Sequence, residues 1–291
     1  NECSNMQEQK KKIFLTGGSG FIGKNIQEEL GEVYEIFAPG HSELELTDAF
    51  AVQKYLDEHP VDVIIHTANI GGNRKQNNLP NIVEVNLRMF FNIVRARKKG
   101  TKLIFCGSGA EYDKSRDIRN IRETDFDERV PKDDYGFYKY VCSKVIENLE
   151  DAVSFRIFGL YGKHEDADLR FISSSIKKVL AGEPIEIWQN VVFNYVYVSD
   201  FVRIVKYAIE HDMREKFYNI GTGVSIDLVT LAKKIQKVMG RDTGIVIKNE
   251  GLNNEYTNNS ERLRLELPNL QFVGYEESVS KLVEIIKSSS H

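Results

Sequence analysis

The chain has 291 residues, 41% of them hydrophobic and 28% charged, the balance of a globular protein able to bury a sizeable core. A formal net charge of -4 gives no reason to expect nucleic acid or an anionic membrane as a partner. Three scattered cysteines make no disulfide framework, no run is apolar enough for a bilayer span, and no His/Cys/Asp/Glu set has metal-ligand spacing. The expected setting is the cytoplasm, without a metal.

Ile13–Leu15 reads as a first strand running directly into Thr16-Gly17-Gly18-Ser19-Gly20-Phe21-Ile22-Gly23, after which helical spacing begins. Glycines at this spacing permit a tight turn and bring bare backbone to a pyrophosphate. The free N–H groups of the following helix attract that anion. The strand before and the helix after supply the context such a loop needs. Gly17, Gly20, Phe21, Ile22 and Gly23 are therefore candidate dinucleotide contacts. The next strand, Val33–Phe37, ends in Ala38-Pro39-Gly40-His41-Ser42, with no acid before Glu43. An acid at the strand end would bond ribose hydroxyls and repel a 2′-phosphate. Its absence leans toward NADP over NAD, with Ser19, His41 and Ser42 as phosphate contacts.

Val61–Ile65, Leu103–Phe105 and Val153–Ile157 read as further strands, and Ile82, Val85, Met89 and Ile93 recur at helical spacing. Strand–helix alternation predicts an α/β fold, a Rossmann-type doubly wound parallel sheet with ligands at the carboxyl ends of its strands. We expect this domain over residues 12–160 and a smaller C-terminal substrate lobe over 161–287, some of whose segments return to the first domain. In that lobe Phe171–Leu180, Leu228–Met239 and Ser278–Ile286 read as helices. Ile185–Trp188 and Tyr195–Val198 read as strands, and the Asn-rich stretch Asn249–Ser260 as a loop. Trp188 is expected to pack within the lobe, with base stacking as the alternative.

Asp133-Asp134-Tyr135-Gly136-Phe137-Tyr138-Lys139 opens another helix, with an aspartate as N-cap. Tyr135 and Lys139, four apart, share one face. Bringing a tyrosine from a pKa of about 10 to near 7 requires roughly 4 kcal/mol. An ammonium about 4 Å away supplies about that much at an effective dielectric of 20. Tyr140 and Lys144 repeat the spacing on another side of the helix.

Together these motifs resemble the extended short-chain dehydrogenase/reductases, the NAD(P)-dependent epimerase/dehydratase family acting on sugar nucleotides. The likeness runs from Ile13 to about Ile286. Thr16–Gly23 matches its TGGxGxIG loop and Tyr135–Lys139 its YxxxK, with Tyr138 where Ser is usual. His66-Thr67-Ala68 resembles its HxA segment, Asn86 the Asn of its VNxxG helix, and Tyr218–Gly223 its YNxGxG turn. The resemblance implies that Thr67, Ala68 and Leu46 line the cofactor and that Tyr135 is the acid–base group. It also implies that Ser108, four places before Tyr112, bonds the sugar oxygen, and that Lys139 holds the nicotinamide ribose. His66, at the end of an apolar strand, reads as a packed side chain.

Departures narrow the reaction. Gly109-Ala110 stands where sugar 4,6-dehydratases carry Asp-Glu, so elimination of water is not expected. Ser42–Leu46 and Leu160–Glu165 look most like the ketosugar-reductase branch that includes GDP-fucose synthases, whose epimerising cysteine would fall at Ala110. The substrate-side candidates are Ser108, Gly159, His164, Arg170, Trp188 and Asn194. Gly159 replaces an Asn of the family, and Phe193 replaces its diphosphate-binding Arg. Losing that charge-assisted contact costs about 1.5–3 kcal/mol unless Arg170, Lys163, Lys177 or Arg262 takes it over. The expected function is NAD(P)H-dependent reduction of a nucleotide-linked 4-ketosugar by a homodimer. The alternatives are a sugar-nucleotide epimerase that recycles NAD and a non-catalytic dinucleotide-binding module.

Overall fold

The computed structural model describes residues 9–289. Its first part runs β1 (Lys12–Thr16), α1 (Phe21–Leu30), β2 (Glu35–Phe37), α2 (Ala49–Glu58), β3 (Val63–His66), α3 (Ile82–Ala96) and β4 (Lys102–Ser108). A short strand β5 (Ile118–Ile121) then precedes α4 (Asp134–Ile146) and β6 (Ala152–Ile157). The remainder gives β7 (Leu160–Tyr161), α5 (Phe171–Ala181), β8 (Ile185–Asn190), β9 (Val192–Phe193), β10 (Val196–Tyr197) and α6 (Val198–Glu210). It closes with β11 (Phe217–Ile220), β12 (Ile226–Asp227), α7 (Leu228–Met239), β13 (Ile245–Leu252), β14 (Tyr256–Asn258), α8 (Glu261–Glu266) and α9 (Tyr275–Ser288).

Six strands pair in parallel in the order β11-β6-β4-β3-β1-β2. Because side chains alternate along a strand, each strand feeds two cores. Ile13 and Leu15 pack with Val63, Ile65, Ile104 and Cys106 against Ile26 of α1 and Phe201 and Val205 of α6. Phe14, Ile64, Leu103 and Phe105 face the opposite way, onto Val52 of α2, Ile82 and Phe90 of α3 and Cys142 of α4. Each fully buried apolar side chain contributes roughly 1.5–3 kcal/mol. The chain leaves β1 to one side for β2 and crosses to the other for β3, so a crevice opens at their carboxyl ends.

The smaller lobe gathers α5, α7 and α9 around Ile172, Ile176, Leu231, Ile235, Val279 and Leu282. Three expectations change here. Asn249–Ser260 is not a loop throughout: β13 reaches Leu252 on β8, and β14 pairs with β5 and β9. Polarity concealed both strands, since backbone pairing with distant segments supplies their stability. The segment read as a turn at Tyr218 begins as the sixth strand of the central sheet. Trp188 does not pack in the lobe. Ile185 and Ile187 take the inner face of β8, and period-two alternation leaves Trp188 outside, 65% exposed. Among the described residues no helix is long and apolar enough to cross a membrane.

Candidate active site

At the carboxyl end of β1 the backbone is packed too closely for side chains. Gly17 has φ +68°, and a Cβ there would stand 2.5 Å from Thr67 Oγ1 and 2.8 Å from the Ala68 nitrogen. A Cβ at Gly23 would stand 2.1 Å from the Gly17 carbonyl oxygen. Gly20 is the N-cap of α1 and brings no side-chain cap, so the helix's first N–H groups keep their capacity for an anion. Gln27 Nε2 donates to the Gly18 and Gly23 carbonyls at 2.7 and 3.2 Å and holds the turn onto α1. Phe21 and Ile22 are half-buried and rest on the core. This bare cradle over an uncapped helix start fits a dinucleotide pyrophosphate.

Thr67 and Ala68 close the cradle. Thr67 Oγ1 donates to the Thr16 carbonyl at 2.7 Å, and the Thr67 and Ala68 N–H groups reach Thr16 Oγ1 at 3.1 and 3.2 Å. His66 Nδ1 lies 2.7 Å from the same hydroxyl. Burial, with the Lys139 charge adding to it, pushes the His66 pKa down to about 3, so the ring is neutral and packed. Asn86 brackets Ile70: its Oδ1 accepts from the Ile70 N–H and its Nδ2 donates to the Ile70 carbonyl, both at 2.9 Å. Gly72 follows with φ +80°, and a Cβ there would lie 2.6 Å from Tyr135 Cε2. The loop after β3 is thus laid directly on the Tyr135 ring.

At the outer end of the crevice His41 and Ser42 are exposed. His41 Nδ1 lies 3.2 Å from Glu45, and Glu43 accepts the Gly40 N–H at 2.7 Å. The turn assigned to a 2′-phosphate therefore carries carboxylates at its base. Leu46 packs against the core and its carbonyl accepts from Asn92 at 2.9 Å.

Ser108, Tyr135 and Lys139 come together at the carboxyl end of β4. Ser108 is 7% exposed, and its Oγ accepts from the Ala110 N–H at 3.1 Å as cap of a short 3-10 turn, Gly109–Tyr112. Asp133 caps α4 by accepting from Gly136 at 2.8 Å. A Cβ at Gly136 would lie 2.7 Å from the Ala110 carbonyl, so the helix start abuts the turn that follows Ser108. Lys139 is buried, donates to the Cys106 carbonyl, and sits 5.7 Å from the Tyr135 ring centre. The rival pair is occupied elsewhere. Tyr140 and Lys144 both bind Asp127 at the surface.

Beneath Ser108 lies a group the sequence did not disclose. Glu111 Oε1 accepts from the Ser108 N–H at 3.1 Å, while its Oε2 accepts from Ser143 Oγ at 2.6 Å and Arg156 Nε at 2.7 Å. Glu111 stands next to Gly109-Ala110, yet both its oxygens are engaged by the scaffold.

The other substrate-side candidates separate. Gly159 touches backbone, since a Cβ would meet the Asn194 carbonyl at 2.7 Å. Asn194 is buried, donating to Val224 and accepting from Asn258. His164 is drawn to Glu28 at 2.6 Å, the same carboxylate that takes Lys163 at 2.9 Å. Lys177 pairs with Asp168 at 2.5 Å, and Arg262 donates to the Phe217 carbonyl at 2.9 Å. Among the described residues Arg170 forms no ion pair. It lies near Lys114 and Glu165. Burial pushes the Glu165 pKa up to about 7, and its Oε2 is buried without a hydrogen bond. Tyr256 lies against Gly109, with Lys114 4.9 Å from its ring centre, on segments that carry no motif.

The family profile described as NAD dependent epimerase/dehydratase family matches residues 13–221. GDP-L-colitose synthase of Yersinia pseudotuberculosis is 27% identical over 253 residues, covering 79% of this chain and 82% of that protein. dTDP-4-dehydro-6-deoxyglucose reductase of Escherichia coli is 25% identical over 268 residues, covering 79% and 83%. The crystal structure of UDP-glucose 4-epimerase from Thermotoga maritima superposes with a TM-score of 0.82 at 22% identity, over 96% of this chain and all of that one.

Proposed function

The chain belongs to the NAD dependent epimerase/dehydratase family, and on that premise we propose that it reduces a nucleotide-linked 4-ketosugar. A nicotinamide dinucleotide, when bound in the cradle, supplies the hydride. Tyr135 gives its phenolic proton to the developing sugar alkoxide, and Ser108 donates a hydrogen bond to the same oxygen. Lys139, anchored on the Cys106 carbonyl, presents its ammonium beside Tyr135 and to the ribose.

The observation that carries this reading is the convergence of Ser108, Tyr135 and Lys139 beside a turn with no free carboxylate. Removing water from the sugar needs an acid or base at that turn. Glu111, its one carboxylate, is consumed by Arg156, Ser143 and the Ser108 N–H. A relative named dTDP-4-dehydro-6-deoxyglucose reductase supports reduction of a nucleotide-linked 4-ketosugar.

The test is turnover of a panel of 4-keto UDP-, GDP-, CDP- and dTDP-sugars with NADPH and NADH. Wild-type turnover that Tyr135→Phe abolishes supports the reading, and full activity in that variant would falsify the assignment. Firmly retained NAD with interconversion of sugar epimers would turn the reading to an epimerase. Cofactor affinity without any turnover would point to a non-catalytic module. A cytoplasmic homodimer formed through α3 and α4 completes the proposal, checked by sedimentation.

A further inference from the structure

The Lys139 ammonium is a buried cation without an anion. Its Nζ donates to the Cys106 carbonyl, and among the described residues it makes no ion pair. The titratable groups beside it are neutral: burial pushes the His66 pKa down to about 3 and that of the Cys106 thiol up to about 12. Glu111, on the turn after Ser108, is taken by Arg156 at 2.7 Å. What the ammonium meets instead is aromatic. It stands over three rings, with the centre of Phe105 at 4.8 Å, that of Tyr138 at 5.2 Å and that of Tyr135 at 5.7 Å. Tyr138 is buried, and its ring meets that of Tyr135 edge-on, centres 5.4 Å apart at 83°. Its hydroxyl oxygen is buried with no hydrogen-bond partner. A buried tyrosine held for its hydroxyl finds a partner for it. This one is held as a ring.

We propose that Tyr138 is a positioning residue, whose ring, together with that of Phe105, holds the Lys139 ammonium beside Tyr135 in place of a carboxylate. The consequence for the reaction rests on the proposed reductase reading, whereas the contact itself does not. A buried cation needs compensation, and a carboxylate at salt-bridge distance would supply it. That carboxylate would also cancel, at the Tyr135 phenol, much of the positive field that favours release of its proton. An aromatic ring carries no net charge. Its quadrupole attracts a cation over it and falls off with distance faster than a charge does. The ammonium is therefore held in place while its charge stays unopposed at Tyr135. Burial raises the pKa of the Tyr138 phenol well above its ordinary value, so the ring stays neutral and brings no anion of its own.

The experiment replaces Tyr138 by phenylalanine and by a trifluorinated phenylalanine, each with Lys139 and with Lys139→Met. Both replacements keep the ring's shape, and fluorine withdraws charge from its face. Urea unfolding of the cofactor-free chain reads the contact. Tyr138→Phe is expected to be at least as stable as wild type, since it removes only the unpartnered hydroxyl. Fluorination should then lower the folding equilibrium constant about tenfold, the scale of a desolvated cation–π contact, and only while Lys139 is present. In reduction of a 4-keto nucleotide sugar, Tyr138→Phe should keep the wild-type kcat. The fluorinated ring should lower kcat about tenfold, with KM within about twofold for both. A fluorine effect on stability that persists in Lys139→Met, or none in either background, would overturn the contact and the inference with it. A stability effect without any change in kcat would overturn the positioning role and leave the reductase reading intact. A wild-type chain inactive on every 4-keto sugar would overturn that reading and the positioning role, while unfolding still decides the contact.

Discussion

Arg156 Nε lies 2.7 Å from Glu111 Oε2, and the two side chains are 1% and 0% exposed. The guanidinium also lies 4.3 Å from the Phe126 ring centre and 4.5 Å from that of Phe217. The same carboxylate holds the Ser108 N–H, so a buried charge pair fixes the backbone of the proposed catalytic serine. A buried ion that loses its partner is costly: Arg156→Met should destabilise the chain by about 3–5 kcal/mol, because it strands Glu111. Urea unfolding at pH 7 measures this. Arg156→Met with Glu111→Gln should recover a large part of the loss, and a purely additive pair of losses would contradict the coupling.

Gly72 and Tyr135 form a second close relationship. The glycine has φ +80° and has no room for a side chain over the ring. Gly72→Ala must displace either the loop or the tyrosine. The expected result is a fall in kcat of at least about tenfold, since misplacing a reacting group by about 1 Å costs more than that. Dinucleotide affinity, which we propose is set at Gly17 and Gly23, should be nearly unchanged. Fluorescence titration with NADH beside steady-state kinetics separates the two quantities.

Much of the cofactor half was legible because its chemistry is local in sequence. Thr16–Gly23 declares a turn, and Tyr135–Lys139 a shared helix face, each within one short window. Its crossover strands follow from apolar runs such as Val61–Ile65, which forms β3 at Val63–His66. The substrate half is assembled from distant segments, and there the signal fades. Tyr256 sits in a polar stretch whose strand exists through β5 and β9. Glu111 looks like any acidic turn residue until Arg156, 45 positions later, is brought against it. Trp188 misled because an aromatic in an alternating strand reads equally well from either face.

Glu165 makes stability depend on pH. Its folded pKa, raised by burial to about 7 from an ordinary 4.5, means that the folded chain binds the proton more tightly than the unfolded chain. Its contribution is therefore fully present below about pH 4.5 and is lost as pH rises through 7, by up to about 3 kcal/mol. Glu165→Gln keeps the shape and cannot ionise. The variant's gain over wild type should be nil near pH 4.5 and grow to its full size by about pH 8. Urea midpoints at pH 4.5, 6 and 8 give the slope, and a difference independent of pH would rule out this titration as its source.

Lys114 and Arg170, both exposed, lie near enough for their charges to interact. The Lys114 ammonium stands 4.9 Å from the ring centre of Tyr256. Its pKa is lowered, first by desolvation, with the Arg170 charge acting in the same direction and Asp133 against it. Asp133 is already committed to capping α4, and among the described residues neither cation has an ion-pair partner. Two like charges held near each other favour an anion between them, and a nucleoside diphosphate brings one. Arg170→Ala and Lys114→Ala should each raise KM for the nucleotide sugar about tenfold, the worth of one charge-assisted hydrogen bond, and leave kcat nearly unchanged. The wild-type KM should rise with ionic strength, and more weakly in either variant, because screening removes what the substitution has already taken away. A kcat loss with constant KM would instead place these cations at the reacting carbonyl.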